Sequence, residues 1–534
     1  MEQPAPVTTT LASAIAESLK ANGVKRIFGI PGGGSSLALI EAAGQAGLAF
    51  VLTRTETAGA IMAAVTGELT GSPGGMLTGI GPGATSAVNG IAYASLEKSP
   101  VILLTDGPAS SPHQAIDQNA LYGPITKDTG HLRAEDGTAA IERAIATALT
   151  PPWGPVQLDL TSGDAASAIP DAPAKPLNTK PGAVSATDIA RVSEQLAASR
   201  KPIVIAGLEA RHGAAPKALQ KLADALQCPV LLSMKACGVL AASHPQYGGI
   251  FTGAAAEADF IRAADLVLFF GFDAIEIIPG AWPYDCPVAE LKLAESTPYP
   301  FKANATATGD PGELVDALHG KLQKSAWTPE EISRHRDAMR ERFALGGGGT
   351  TVQSVIEAAF HHAPERTRLT VDAGAHMFST LAGWPAQEPF GVLKSDGLST
   401  MGYALPAAIA SSLEEPERPV LGVTGDGGLL MCLSELTTAV ERGSNITVAV
   451  INDAALSLID IKQQRQQYKP RGVRYPSVDF AACARAMGCT AWRAGPDDDV
   501  AAALRAAFET PGPALVDIVC NADGYGEQLL GIRG

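Results

Sequence analysis

Segment 419–453 places the strongest constraint on how this chain can fold. Residues 419–424 (Pro-Val-Leu-Gly-Val-Thr) form a short apolar run of strand length, and Gly425-Asp426-Gly427-Gly428 follows at once. Residues 429–442 set apolar side chains at helical spacing up to Gly443, and 445–451 form a second β-rich run that leads into Asn452-Asp453. Strand, turn, helix and strand in that order predict two parallel strands joined by a helical crossover. Asp426 and Asp453 then both emerge at carboxyl ends of the sheet. Glycines that open a helix leave backbone N–H groups free for anionic oxygens, and the two carboxylates are hard ligands for a divalent cation. The pattern points to a site for a diphosphate and Mg²⁺. Gly-Asp-Gly and Asn-Asp are each common turn sequences, so the reading rests on their order around one helix.

Bulk properties narrow the class. A chain of 534 residues should make about three domains of ordinary size. Its formal net charge of −15 argues against nucleic acid, whose phosphates need a basic face, and against an anionic membrane surface. Residues 1–4 lack the basic-then-apolar start of a signal peptide, and the apolar run 266–271 is the length of a core strand, not of a membrane span. Cysteines 228, 237, 286, 432, 483, 489 and 520 are scattered without metal-ligand spacing. Such a set reads as reduced core thiols in a cytoplasm.

Two seams divide the chain. Residues 170–182 are proline-rich, and Gly346-Gly-Gly-Gly349 follows a charged helix predicted over 329–344. The expected domains are 1–168, 186–325 and 350–534. Each alternates short β-rich runs with helical segments, so the fold class is α/β with three doubly wound parallel sheets. Strands are expected at 26–29, 50–53, 75–78, 100–105 and 155–160 in the first domain, and at 202–206, 229–232 and 266–271 in the second. The third adds 369–371 and 514–519 to the two already described.

With Glu435-Leu-Thr-Thr-Ala439 in its helix, the Gly-Asp-Gly segment resembles the diphosphate-binding half of thiamine-diphosphate enzymes. Over nearly its whole length the chain looks like the large catalytic subunit of the acetolactate synthase group. That resemblance implies a pyrimidine-binding domain, a central domain and a diphosphate-binding domain, in that order. It makes Asp426, Asp453 and the backbone carbonyl of Ala455 the metal ligands, and puts Gly425, Gly427 and Gly428 against the diphosphate. The group usually has Asn where Asp453 stands, so a second carboxylate adds charge that the metal must offset.

Glu56 follows a strand and opens a helix of small apolar residues, which also suits a helix-start charge. By resemblance it is the Glu that hydrogen-bonds N1′ of the cofactor's aminopyrimidine and favours the imino tautomer that takes the C2 proton. The glycine loops around Gly32, Gly33 and Pro82 are ordinary tight turns by composition; in the resembling group they approach the cofactor ring and substrate. His113, Gln114 and Lys127 match a segment whose Gln enters the partner subunit's active site, and a polar loop accounts for Lys127 equally well. Ser399 and Met401 match the stretch that grips the two rings, with Met401 as a wedge that bends the cofactor or as plain core filler. His376 matches a position near the diphosphate.

Two departures remain. Lys462 stands where the group has a Trp that selects the second 2-oxo acid, and it equally suits a solvent-facing helix position. The flavin-contacting signatures are missing around 244–250 and 271–278, so no FAD is expected and the middle domain reads as a spacer. The function implied is decarboxylation of a 2-oxo acid with carboligation to a second carbonyl. A non-ligating decarboxylase or a 2-hydroxyacyl thioester lyase on the same scaffold is the alternative. The resemblance further implies a homodimer or homotetramer with each active site shared between subunits.

Overall fold

The computed structural model describes residues 8–107, 112–177, 179, 181–278, 282–295, 298–299, 301–344 and 348–533. Residues 1–4, Asn178 and Lys180 of the proline-rich seam, and Gly346 and Gly347 of the glycine run lie outside them.

Three six-stranded sheets carry the chain, each wholly parallel. In the first the spatial order is Ala49–Leu52, Arg26–Ile30, Gly74–Thr78, Val101–Asp106, Pro155–Leu160, Asp128–Leu132. Numbered along the chain within that sheet this is 2-1-3-4-6-5. The third sheet repeats it: Val392–Lys394, Arg368–Val371, Val420–Gly425, Ile446–Asn452, Ala514–Val519, Thr490–Ala494. The middle sheet instead runs 3-2-1-4-5-6, from Tyr247–Phe251 to Ala305–Thr308. That is an order found in dinucleotide-binding folds, which by itself assigns no ligand.

Most strands absent from the sequence reading are edge strands. Asp128–Leu132, Ala305–Thr308, Val392–Lys394, Thr490–Ala494 and Tyr247–Phe251 each close one side of a sheet. Asp128–Leu132, Ala305–Thr308 and Thr490–Ala494 are partly exposed and polar, Tyr247–Phe251 is interrupted by two glycines, and Val392–Lys394 is only three residues long. Each therefore lacks the apolar run that marks the central strands. Val288–Lys292 lies inside its sheet but carries Glu290 and Lys292, both buried. The single helix expected over 429–442 is two, Asp426–Leu430 and Glu435–Arg442. Between them the backbone turns through i→i−3 bonds such as Glu435 N–H to Cys432 O at 2.9 Å, which leaves Leu430 and Met431 exposed.

Packing divides the chain into two compact units, and the break between those helices falls on the division. The first unit comprises 1–180 with 409–415 and 432–442; the second holds the remainder. Within the first, helices Glu56–Thr70 and Pro82–Leu96 cross at close range because both present small residues. A Cβ on Gly90 would stand 2.5 Å from the Ala60 Cβ and 2.7 Å from the Thr57 carbonyl oxygen. Gly90→Ala must therefore push the two helices apart and should cost about 1–3 kcal/mol. Urea unfolding should show a lower midpoint at an unchanged slope.

Candidate active site

In the third sheet the strand order reverses between Arg368–Val371 and Val420–Gly425, and a crevice opens at their carboxyl ends. Three chain segments meet there on one carboxylate. Asp372, 1% exposed, accepts Tyr403 N–H at 2.9 Å on Oδ1, and Gly402 N–H at 3.2 Å and the Thr424 hydroxyl at 2.8 Å on Oδ2. A Cβ on Gly428 would meet that Oδ2 at 2.4 Å, so only glycine lets the helix after Gly425 start against it. Burial pushes the Asp372 carboxyl up to about 6, and its three donors oppose the rise.

The cavity so formed is lined by His376, Ser399, Met401, Asp426, Asp453 and Ala455, with Gly425, Gly427 and Gly428 on its floor. Asp426 Oδ1 accepts Gly427 N–H at 2.7 Å and the Tyr475 hydroxyl at 2.9 Å, and Oδ2 accepts Ala454 N–H at 2.7 Å. Asp453 accepts Ala455 N–H at 3.2 Å and the Ser457 hydroxyl at 2.6 Å. Burial raises both carboxyls, and the neighbouring Asp426 charge adds to the rise of Asp453 to about 6. Ser399 sits at φ +51, a left-handed conformation that glycine adopts without strain.

A diphosphate and Mg²⁺ fit this cavity. No Lys or Arg is among the described residues that line it. A diphosphate beside two carboxylates therefore needs a divalent cation to offset the charge. Among the described residues there is no cluster of three or more His, Cys, Asp and Glu that could hold a metal, so side chains of these types supply at most the two carboxylates here. His376 is 5% exposed and its Nε2 is buried without a hydrogen-bond partner, an open valence on the cavity wall. Cβ atoms on Gly427 would meet Leu456 at 2.7 Å and the Tyr475 hydroxyl at 3.0 Å.

The first unit holds the other candidates except Lys462. Glu56 is the first residue of its helix and half-buried; the Thr55 hydroxyl caps that helix by accepting Ala58 N–H at 3.2 Å. Its Oε1 lies 3.3 Å from where a Gly83 Cβ would stand, which puts it against the Gly81-Pro82-Gly83 turn. Gly81, at φ +60, lies against the Gln114 carbonyl, where a Cβ would come within 2.3 Å. Burial and then the Glu56 charge raise the Tyr122 hydroxyl, which donates to the Ala84 carbonyl. Gly32 meets the backbone of Gly79, and beside it Asp106 accepts Gly34 N–H, Ser36 N–H and both serine hydroxyls. Gly33 is exposed with open space before it, and His113 and Gln114 are exposed.

Two candidates stand apart from these groups. Lys127 donates to the Thr147 and Thr150 carbonyls at 2.5 Å each, so it caps the end of helix Ala139–Leu149. Burial lowers its amine to about 8. Lys462 is exposed on helix Ser457–Arg465 and is not among the residues lining the cavity. Sequence reasoning passed over Tyr475, which comes from the aperiodic stretch after that helix and returns through a bridge between Ala455 and Arg474. Asp372 had a readable signal, a carboxylate at the end of a strand.

Family models for the thiamine pyrophosphate enzymes match three stretches: the N-terminal TPP binding domain at 9–129, the central domain at 189–318 and the C-terminal TPP binding domain at 372–518. The chain belongs to the thiamine pyrophosphate enzymes. Among relatives of this family it is 26% identical to an acetolactate synthase of Bacillus subtilis, over 97% of this chain and 94% of the relative. It is 28% identical to a catabolic acetolactate synthase of Raoultella terrigena, over 95% and 94%. To a probable 2-ketoarginine decarboxylase of Pseudomonas aeruginosa it is 29% identical, over 96% and 94%. It is thus a thiamine-pyrophosphate-dependent enzyme of acetolactate-synthase-like type. No helix among the described residues is long and apolar enough to cross a membrane.

Burial pushes His376 down to about 4, so it stays neutral in the folded thiamine pyrophosphate enzyme. The unfolded chain takes up a proton below about 6.5, where the folded chain does not, so stability falls as pH drops from there toward 4. His376→Gln should remove about 2 kcal/mol of the loss between pH 6.5 and 5, measured by urea unfolding of cofactor-free protein.

Proposed function

We propose that this enzyme decarboxylates a 2-oxo acid with thiamine diphosphate and Mg²⁺ and joins the remaining acyl carbon to a second carbonyl compound. The observation that carries the reading is the cavity with one buried carboxylate, Asp426, a half-buried one, Asp453, an unpartnered imidazole nitrogen and no Lys or Arg among the described lining residues. Asp426, Asp453 and the Ala455 carbonyl would hold the metal, and His376 would meet a diphosphate oxygen. The Ser399 carbonyl would accept from the cofactor's amino group, with Met401 between the rings. Bound thiamine diphosphate supplies an electron sink for breaking the bond between keto carbon and carboxylate. Glu56 holds a proton at N1′ and so sets the tautomer in which that sink is active. Gly33, with nothing before it, leaves space for a second carbonyl compound. Glu56 lies in the first packing unit and the metal carboxylates in the second. We propose a homodimer or homotetramer in which partner copies complete each other's sites. Seven free cysteines suit work in a reducing cytoplasm.

The probable 2-ketoarginine decarboxylase relative favours a second reading, a decarboxylase that releases its product uncoupled. Incubation with a panel of 2-oxo acids including pyruvate, with mass detection, separates the two; free aldehyde without a coupled product removes the carboligase. Glu56→Gln should lower kcat about 10²-fold or more while calorimetry still shows Mg²⁺-dependent cofactor binding. Asp426→Ala should abolish that binding heat. Full turnover in Glu56→Gln would refute the assigned mechanism.

A further inference from the structure

We infer that Glu435 is the positioning residue for Glu56, an inference that rests on the role assigned to Glu56 above. Glu435 is 0% exposed, and its Oε1 accepts two successive backbone N–H groups, Arg54 at 2.9 Å and Thr55 at 3.0 Å. Those are the two residues directly before Glu56. Its Oε2 accepts the Thr438 hydroxyl at 2.8 Å, so both oxygens are held. The Arg54 side chain ties the loop to the same helix, with Nε donating to the Thr437 hydroxyl at 2.8 Å and a terminal nitrogen to Glu441 at 2.7 Å. All these residues belong to the first packing unit.

One oxygen that bridges consecutive N–H groups fixes the backbone where the chain leaves strand Ala49–Leu52 and enters helix Glu56–Thr70. Thr55 is the helix cap, so its dihedrals set the direction in which Glu56, the next residue, leaves the backbone. On the far side Glu56 is bounded by Gly83. Taking a carboxylate fully out of water is costly, and burial raises the Glu435 carboxyl while Thr438 and the two N–H groups oppose that rise. An aliphatic side chain would fill the same space without that cost but would leave two N–H groups unpaired. Glu435 does not touch the reacting atoms; it holds the backbone that aims the group that does.

The test uses full-length enzyme with Mg²⁺ and thiamine diphosphate, and compares Glu435→Gln, Glu435→Met, Glu435→Asp and Glu56→Gln. The readouts are hydrogen–deuterium exchange at C2 of the bound cofactor by quenched NMR and cofactor affinity by calorimetry. Amide exchange of a peptide covering 50–58 is followed in cofactor-free protein. Gln keeps a carbonyl oxygen in place, so C2 exchange should stay within about 3-fold of wild type and the peptide should remain protected. Met has the length without the acceptor and Asp falls short by a methylene; each should slow C2 exchange about 10²-fold, as a misplacement near 1 Å does. Both should expose the peptide and leave cofactor affinity within about 3-fold, and Asp serves if Met fails to fold. Wild-type C2 exchange in Met or Asp while Glu56→Gln is slow would overturn the inference alone. So would Gln slowed as far as Met, which would make the effect one of charge. Wild-type exchange in Glu56→Gln would bring down the role of Glu56 and this inference with it.

Discussion

The buried carboxylate of Asp372 holds the diphosphate side of this enzyme together. It collects two backbone N–H groups from the 402–403 turn and a hydroxyl from the strand that ends in Gly425. It therefore ties the 402–403 turn to two neighbouring strand ends, those of Arg368–Val371 and Val420–Gly425. Such a group is costly to bury and costly to leave unpaired, so its geometry tolerates little change. Gly428 is a direct product of that constraint, because any side chain there would strike Asp372.

The same logic recurs in the first unit with other residues. Asp106 gathers the 34–36 turn, and Glu435 gathers the 54–55 turn. In each case an acidic side chain at a sheet edge or helix start satisfies N–H groups that the turn leaves over. Both flanking sheets have the strand order 2-1-3-4-6-5, so each presents the same kind of crevice at its carboxyl edge. What differs is the lining: the Asp426 and Asp453 carboxylates in one, a half-buried Glu56 with glycine turns in the other.

Much of this was legible in the chain itself, and the reasons for the misses are physical. Central strands such as Val420–Gly425 and Ile446–Asn452 are buried on both faces and read as apolar runs. Edge strands such as Asp128–Leu132 and Thr490–Ala494 are partly exposed and polar and do not. Asp426 and Asp453 stood out because glycines, a helical stretch and a strand of ordinary length separate them in the chain. Tyr475 did not, because it reaches Asp426 from an irregular segment whose path depends on tertiary contacts. Lys127, for which the sequence leaves a substrate role and a polar-loop role both open, has its ammonium group at the end of a helix, a contact that spacing in the chain does not reveal. The helix break before Glu435 was hidden by Leu430 and Met431, which supply apolar periodicity while facing solvent.

If the cavity takes the proposed diphosphate and Mg²⁺, its acids and the lack of Lys or Arg among its described lining residues have a thermodynamic corollary. Neither ligand can enter comfortably without the other, since the anion meets repulsion and the lone ion lacks half its coordination shell. Linkage then requires each to tighten the other's hold by an identical factor. Loading becomes a joint event, and the fraction of charged-up enzyme tracks the product of two concentrations, not either supply taken singly.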